Sequence, residues 1–147
     1  MYDLAVADDR SAPLRPGQIY LTAEFAAGQP AREVVAHQSG RRRVALLWKI
    51  AADVASALDH LHQQGLRHGG VKPEHLLCTP HGDVKLVDLG LAAVAGALGP
   101  AELTGSLEFL PPEAITGRPD ERSDLYALGA TLWVLAAGQP LWPPVEG

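Results

Sequence analysis

The stretch at residues 67–90 constrains the fold of this chain more than any other, because it contains a dense cluster of polar residues bounded by short apolar runs. Those runs predict two or three short strands, at residues 66–68, 75–78 and 84–87. Residues 79–83 contain Pro and Gly and predict the turn of a β-hairpin between the last two runs. We therefore expect Lys72 and His75, before the hairpin, and Asp88, directly after it, to meet at one edge.

Four motifs follow one another along the chain: HGGVKPEHLL at 68–77, DLG at 88–90, GSLEFLPPE at 105–113 and RSDLYALG at 122–129. In order and spacing they resemble the catalytic loop, D-F-G, A-P-E and central-helix motifs of the eukaryotic-type protein kinase family. The resemblance implies an α+β fold. It would be a protein kinase-like fragment with a mostly helical large lobe, short β-hairpins and an incomplete small lobe.

The catalytic loop departs from the pattern of that family at two positions. Gly70 stands where the family has the Asp that accepts or orients the substrate proton, and His75 stands where it has a metal-binding Asn. Glycine has no group that takes a proton, and imidazole is a poor ligand for the oxygen-preferring Mg²⁺. Lys72 and Asp88 are retained, and the resemblance implies a phosphate contact and a metal ligand there. We expect ATP and Mg²⁺ binding to be weak or absent.

The resemblance also implies an adenine-binding region. Alternating residues at 2–6 and 18–24 predict a β-hairpin, which corresponds to the last two strands of the small lobe. Glu24 and Ala26 then belong to the hinge whose backbone binds adenine, and Leu77 corresponds to a residue beside the adenine ring.

Four further residues correspond to structural positions of the family. His68 and Leu89 correspond to members of a stacked apolar spine beneath the catalytic loop. Glu113 corresponds to a glutamate that pairs with an arginine of a later helix. A buried carboxylate at a helix start accepts backbone N–H bonds, and the family counterpart of Asp124 holds the catalytic-loop backbone in place.

Apolar periodicity predicts two long helices. Apolar residues recur at three- and four-residue spacing over residues 42–64, followed by Gly65 at the position of a C-terminal cap. Trp48 lies on this apolar stripe, and we expect it in the core. Residues 123–137 are apolar on every side, which is typical of a helix that is buried all round.

The kinase-like register predicts a partial domain. Residues 1–28 would form the small-lobe hairpin and hinge, and residues 29–147 the large lobe, ending after the central helix. No G-x-G-x-x-G occurs in the sequence, so we expect the Gly-rich loop, the strand lysine and its glutamate partner to be absent. Whether Met1 and Gly147 are the natural ends stays open. The surfaces left uncovered predict a protein partner or self-association through exposed apolar side chains.

Composition excludes several classes of function. The chain has 47% hydrophobic and 20% charged residues with a net charge of −5, and it has no stripe of Lys and Arg with interleaved aromatics, so we expect no nucleic-acid partner. Cys78 is the only cysteine, which excludes a disulfide within the chain. We find no signal-peptide pattern and no apolar run that could span a membrane. These features favour a cytoplasmic location.

Three functional hypotheses remain. The favoured one is a catalytically impaired protein kinase-like domain that acts as a pseudokinase or a binding and regulatory module. The second is an ATP-dependent serine/threonine protein kinase represented only in part, because residues 72–74, KPE, resemble the serine/threonine branch of the family. The third is an unrelated helical scaffold whose motif matches are due to chance.

Overall fold

The computed structural model describes residues 2–6, 19–89, 107–115 and 119–142. Its helices are α1 (Ala31–Ala36), α2 (Gly40–Gln63), α3 (Pro112–Ile115) and α4 (Glu121–Ala137), with 3-10 helices at Pro73–His75 and Leu107–Phe109. Its strands are β1 (Tyr2–Val6), β2 (Ile19–Ala23), β3 (Gln29–Pro30), β4 (Leu76–Cys78) and β5 (Val84–Leu86). Helices combined with small antiparallel sheets form the α+β arrangement predicted from the sequence.

The strands form two antiparallel sheets. Strands β1 and β2 pair with Tyr2 opposite Ala23, which confirms the predicted amino-terminal hairpin. Strands β3, β4 and β5 form a three-stranded sheet in that order. The N–H of Thr79 donates a 2.8 Å hydrogen bond to the carbonyl of Asp83 and closes the turn between β4 and β5. The second predicted hairpin is therefore confirmed as well.

The strand predicted at residues 66–68 is wrong. Residues 66–72 have no regular secondary structure. The N–H groups of His68 and Gly69 are instead bonded to the side chain of Asp124. A single distant carboxylate thus takes the place of a neighbouring strand, and a local pattern of apolar residues cannot reveal such a contact.

Helix α2 runs beneath the three-stranded sheet and supplies much of the core. Its buried residues are Ile50, Val54 and Leu58, spaced four apart along one side of the helix. The helix ends in a Schellman motif, in which the N–H of Leu66 bonds to the Leu61 carbonyl at 3.0 Å. Gly65 has a φ of 69°, a left-handed conformation that glycine adopts without strain. The predicted cap is therefore confirmed.

The predicted burial of Trp48 is wrong. Its side chain is 74% exposed. Successive residues of an α-helix are rotated by about 100°, so Trp48 lies about 200° around the helix from the buried Ile50. Val44, one turn before Trp48, is 54% exposed. The two side chains form a second apolar stripe on the outer side of α2.

Helix α4 begins with a capping box and packs on α2. The side chain of Asp120 accepts a 2.8 Å bond from the Arg122 N–H, and the Asp120 N–H donates to the Ser123 hydroxyl at 3.1 Å. At the other end of α4, the Arg43 guanidinium donates 3.0 Å bonds to the carbonyls of Leu135 and Ala136. These bonds cap the last turn of α4 and tie it to the first turn of α2.

The main core lies where α1, α2, α4 and the three-stranded sheet meet. Its buried members are Ala31, Val35, Ile50, Val54, Leu58, Val71, Leu76, Val84, Ala127, Leu128 and Leu135. Helix α4 is not buried all round, because Leu125 is 53% exposed and Trp133 is 46% exposed; apolar surface is thus left uncovered there, as expected from the sequence. None of the helices that the structure describes combines the length and apolar character needed to cross a bilayer.

Candidate functional site

Asp124, in the first turn of α4, holds the backbone of the loop at residues 66–72. One of its carboxylate oxygens accepts a 2.8 Å hydrogen bond from the N–H of His68, and the other accepts one of 2.8 Å from Gly69. The Nε2–H of His62 donates to the same carboxylate at 2.9 Å. Asp124 is only 1% exposed. These three donors replace the water that a carboxylate loses on burial.

His62 is a site residue that the sequence analysis does not identify. It lies near the end of α2, and its side chain reaches across to α4. The available signal is its spacing, because His62 follows the buried Leu58 by four residues and therefore shares the core-facing side of the helix. A histidine on that side needs a polar partner, and Asp124 supplies it.

His68 is a buried, neutral group that ties the loop to the end of β5. Its Nε2 lies 3.0 Å from the carbonyl oxygen of Val87. Since a carbonyl only accepts, Nε2 carries the proton. Its Nδ1 is buried without a hydrogen-bond partner among the described residues. Burial lowers the pKa of His68 below its usual range, although the Val87 carbonyl and Asp124 act in the opposite direction.

The imidazole of His75 lies beside Gly70. Nδ1 of His75 is 2.7 Å from the carbonyl oxygen of Gly70, so Nδ1 carries the proton and donates it to that carbonyl. A Cβ atom built on Gly70 would meet the His75 ring at 3.9 and 4.0 Å. These are ordinary van der Waals distances, so the position has room for a Cβ atom. Glycine itself has no side chain that could accept a proton.

Asp88 follows β5 and faces His75. One of its carboxylate oxygens lies 3.4 Å from Nε2 of His75. Asp88 has a φ of 64°, the one positive φ among the described non-glycine residues, a backbone conformation that is uncommon outside glycine. The backbone is held nearby, since the N–H of Val87 donates a 2.9 Å bond to the His75 carbonyl.

Burial lowers the pKa of His75 below its usual range, and the positive charge of Lys72 lowers it further. The bond to the Gly70 carbonyl and the negative charges of Asp88 and Glu74 act in the opposite direction. The net effect keeps the imidazole neutral near pH 7. His75 and Asp88 therefore do not form an ion pair there.

Of the two predicted metal ligands at this edge, one offers Mg²⁺ an oxygen. That ion requires octahedral oxygen ligands, whereas Asp88 is joined here by an imidazole nitrogen of His75. Over the described parts of the chain there is no group of three or more His, Cys, Asp or Glu side chains that could hold a metal ion. The predicted metal ligands do come together, but as one carboxylate and one nitrogen.

Lys72 precedes the 3-10 helix at Pro73–His75 and is partly buried. It forms no hydrogen bond or ion pair with another residue that the structure describes, and its charge reaches the nearby ring of His75. The Lys72 carbonyl accepts a 3.0 Å bond from the His75 N–H. The lysine is thus held near the candidate site by its backbone, with its ammonium available for an anionic group.

The predicted hinge residues lie in a cleft next to β5. Glu24 and Ala26 line a cleft of about 350 Å³ together with Ala57 and residues 84–87. Nζ of Lys85 is 3.6 Å from a carboxylate oxygen of Glu24. Leu77 is partly buried on the adjacent strand β4 and does not line this cleft. Two of the three predicted adenine-region residues are therefore brought together.

The remaining predicted residues frame the loop. An oxygen of Glu113, in α3, accepts a 3.0 Å bond from the hydroxyl of Ser123, which links α3 to the capping box of α4. Leu89 is a partly buried turn residue directly after Asp88. Gly90, at the end of the DLG motif, and residues 105 and 106 lie outside the described residues.

Comparison with known proteins identifies relatives across most of the chain. A family model described as the protein kinase domain matches residues 8–147. The serine/threonine-protein kinase PknB of Mycolicibacterium smegmatis is 32% identical over 146 residues, covering 95% of this chain and 23% of PknB. The Aurora kinase of Patiria pectinifera is 34% identical over 129 residues, covering 84% of this chain and 31% of that kinase.

Aurora kinase C of Mus musculus is 33% identical over 126 residues, covering 84% of this chain and 45% of the kinase. The chain thus spans less than half the length of each of these relatives. The family match confirms the resemblance given by the four sequence motifs, and the interpretation as an unrelated helical scaffold is wrong. This chain belongs to the protein kinase domain family.

Proposed function

We propose that this protein kinase domain is catalytically impaired and acts as a pseudokinase, that is, as a binding or regulatory module. The observation that carries the proposal is the environment of Gly70. The carbonyl of Gly70 accepts a bond from His75, and no side chain is present at this position to take a proton. Gly70 occupies the place in the motif at which active relatives need a carboxylate.

The loss of a general base has a known magnitude. Such a group contributes roughly 10²- to 10⁴-fold to the rate of proton-transfer chemistry. Phosphoryl transfer also depends on metal ions that neutralise charge on the phosphates. Because Asp88 is accompanied by an imidazole nitrogen of His75 rather than by an oxygen, the second contribution is weakened too. The two deficits support impairment more strongly than either would alone.

Exposed apolar side chains support a role in binding proteins. Trp48 and Val44 form the outer stripe of α2, and Leu125 and Trp133 are half-exposed on α4. Large aromatic side chains contribute most of the binding energy in many protein interfaces. We propose that these helix surfaces contact a protein partner or a second copy of the chain.

The retained residues Lys72 and Asp88 favour one alternative, a working serine/threonine kinase represented only in part. Lys72 is free of ion pairs to the described residues, and the carboxylate of Asp88 is half-exposed. The matched relatives are named as serine/threonine or Aurora kinases. A kinase of this kind would bind ATP at the hinge around Glu24 and Ala26.

Transfer of radiolabel from ATP to a basic protein substrate or to the chain itself tests the proposal. The full chain is incubated with Mg²⁺, and Lys72→Ala and Asp88→Asn serve as controls, each checked for folding by circular dichroism. We expect the unmodified chain to incorporate no more label than either control. Incorporation that both substitutions abolish would refute the impairment and support the working kinase.

A further inference from the structure

Helix α2 carries a line of exposed residues on the side opposite its core, which we call the outer seam. Its members follow one another at alternating spacings of four and three, the spacing of a coiled-coil seam. They are Arg41, Ala45, Trp48, Ala52, Ala55 and Asp59, and all of them are exposed. At about 100° per residue, all six lie within about 40° of the direction opposite the buried Ile50. The described parts of the chain cover the inner side of α2 and leave the outer seam open.

The outer seam is complementary to itself when it is read in the opposite direction. Its members form three pairs at equal distances from Ile50 along the chain. The pairs are Trp48 with Ala52, Ala45 with Ala55, and Arg41 with Asp59. In an antiparallel coiled coil of two identical helices, the members of each pair face one another across the seam. A two-fold dimer requires this kind of self-complementary surface.

We propose that two copies of this chain associate through their α2 helices, which pack antiparallel along the outer seam. The indole of Trp48, 74% exposed in one copy, then packs against Ala52 of the other copy. The small side chains of Ala45 and Ala55 form the neighbouring layers and allow the helices to approach closely. Val44, which is also exposed beside Trp48, widens the apolar centre. A large aromatic at the centre of an interface is a common source of binding energy.

Charges at the two ends of the outer seam select the antiparallel arrangement. Arg41 lies in the first turn of α2, where the helix dipole disfavours a positive charge. In the antiparallel dimer it lies instead beside Asp59 and the carboxyl-terminal end of the other helix, and both favour a cation. A parallel dimer would place Arg41 against Arg41 and Asp59 against Asp59, so like charges oppose that arrangement.

Lys49 lies at the edge of the outer seam, near the proposed two-fold axis. Its ammonium is 2.9 Å from a carboxylate oxygen of Asp53 and 3.6 Å from one of Asp83 in the same chain. These two carboxylates balance its charge, which reduces repulsion between the lysines of the two copies. The arrangement rests on the binding role proposed above and names the partner as a second copy.

Sedimentation velocity of the full, unmodified chain over a range of concentrations tests the association. We expect a monomer–dimer equilibrium with a dissociation constant of roughly 1–100 µM, because a single pair of helices makes a small interface. Added NaCl should weaken the dimer, since it screens the charges at the exposed ends of the seam. A chain that stays monomeric at every concentration, or that forms assemblies larger than a dimer, would overturn the proposal.

Substitution of a tryptophan locates the interface on α2. Trp48→Ala should weaken the dimer at least roughly tenfold. Trp142→Ala is the matched control, because Trp142 is also exposed but lies after α4, and it should leave the dissociation constant unchanged. Both variants are checked for folding by circular dichroism. A dimer that Trp48→Ala leaves intact would overturn the proposal.

Charge reversal tests the antiparallel pairing. Arg41→Asp and Asp59→Arg should each weaken the dimer, because each places like charges at both ends of the seam. An equimolar mixture of the two variants should associate again, since every charged pair in the mixed dimer is of opposite sign. A mixture that associates no more strongly than either variant alone would overturn the antiparallel arrangement.

The association and the proposed impairment can fail separately. None of these measurements involves nucleotide or phosphotransfer. A monomeric chain would leave the impairment untouched, whereas label transfer from ATP by a dimeric chain would refute the impairment and leave the interface in place.

Discussion

The Nε2 atom of His62 lies 2.9 Å from a carboxylate oxygen of Asp124, joining the end of α2 to the first turn of α4 across 62 positions of sequence. The same carboxylate receives the N–H groups of His68 and Gly69. One buried side chain thus fixes both the long helices and the loop that precedes the candidate site.

Replacement of Asp124 by Ala should destabilise the fold strongly. It leaves two loop N–H groups without a partner, each worth about 1–3 kcal/mol when buried, and it removes the acceptor for His62. We expect a loss of about 3–5 kcal/mol in the free energy of unfolding, measured by urea denaturation. Asp59→Ala, on the exposed side of α2, is the matched control and should cost under about 1 kcal/mol. Equal losses in the two variants would contradict the anchoring role of Asp124.

Replacing Gly70 and His75 by the residues of the family motif should increase phosphotransfer from ATP. The position of Gly70 has room for a Cβ atom, so Gly70→Asp should fold. Combined with His75→Asn, it supplies a proton acceptor and an oxygen ligand beside Asp88. We expect label transfer from ATP to rise by at least roughly 10²-fold over the unmodified chain, and less in each single variant. A double variant that binds Mg²⁺ and ATP but transfers no more label would show that other features limit the reaction.

Asp53 should make stability depend on acid pH. Burial alone raises the pKa of its carboxyl, but hydrogen bonds from Lys49 and from the N–H of Val84 outweigh this and lower the pKa below its usual value near 3.8. The carboxylate therefore stabilises the fold above about pH 3.8, and this contribution is lost as the pH falls through the lower folded-state pKa.

Thermal melting between pH 7 and pH 2 checks this dependence. Asp53→Asn should lower the melting temperature at pH 7, by an amount that corresponds to about 1–2 kcal/mol. The difference between the two proteins should shrink below about pH 3.8, because the native carboxyl is then protonated as well. A difference that stays constant with pH would contradict the assignment.

His68 should make the stability of the fold depend on pH in a higher range than Asp53 does. Burial lowers its pKa in the folded state, so below about pH 6.5 the unfolded chain binds this proton more readily than the folded chain does. The stability linked to His68 is therefore full above about pH 6.5 and decreases as the pH falls toward the lower folded-state pKa.

Urea unfolding at pH 7.5, 6.5 and 5.5 measures this effect. His68→Phe removes the titrating ring and should reduce the loss of stability between pH 7.5 and 5.5, despite costing about 1–3 kcal/mol at pH 7.5 through the Val87 carbonyl. His81→Gln, in the exposed turn after β4, should leave the slope as it is. A slope unchanged in His68→Phe would mean that other groups carry the pH dependence.

Local patterns in the sequence predicted the features that depend on local chemistry. The hairpin between β4 and β5 follows from the Pro and Gly of its turn, and the end of α2 follows from Gly65. The order of the four motifs predicted the family. The sequence also showed that Gly70 and His75 replace other residues of the family, because both stand within a known motif.

The features that escaped prediction depend on long-range packing. Apolar spacing alone did not reveal that Trp48 lies outside the buried side of α2, because the recurring apolar residues cover more of the helix circumference than the packing buries. The bond of His62 to Asp124 joins two distant helices. The bond of His75 to the Gly70 carbonyl determines which ring nitrogen carries the proton. That bond depends on the path of the loop.

Calorimetric titration of the full chain with ATP, with and without Mg²⁺, tests the central claim most directly. The claim, which rests on the proposed function, is that this kinase-family domain does not bind metal–nucleotide as an active kinase does. We predict that Mg²⁺ changes the ATP affinity by less than about threefold. Tight ATP binding that requires Mg²⁺ and is lost in Asp88→Asn would contradict the account.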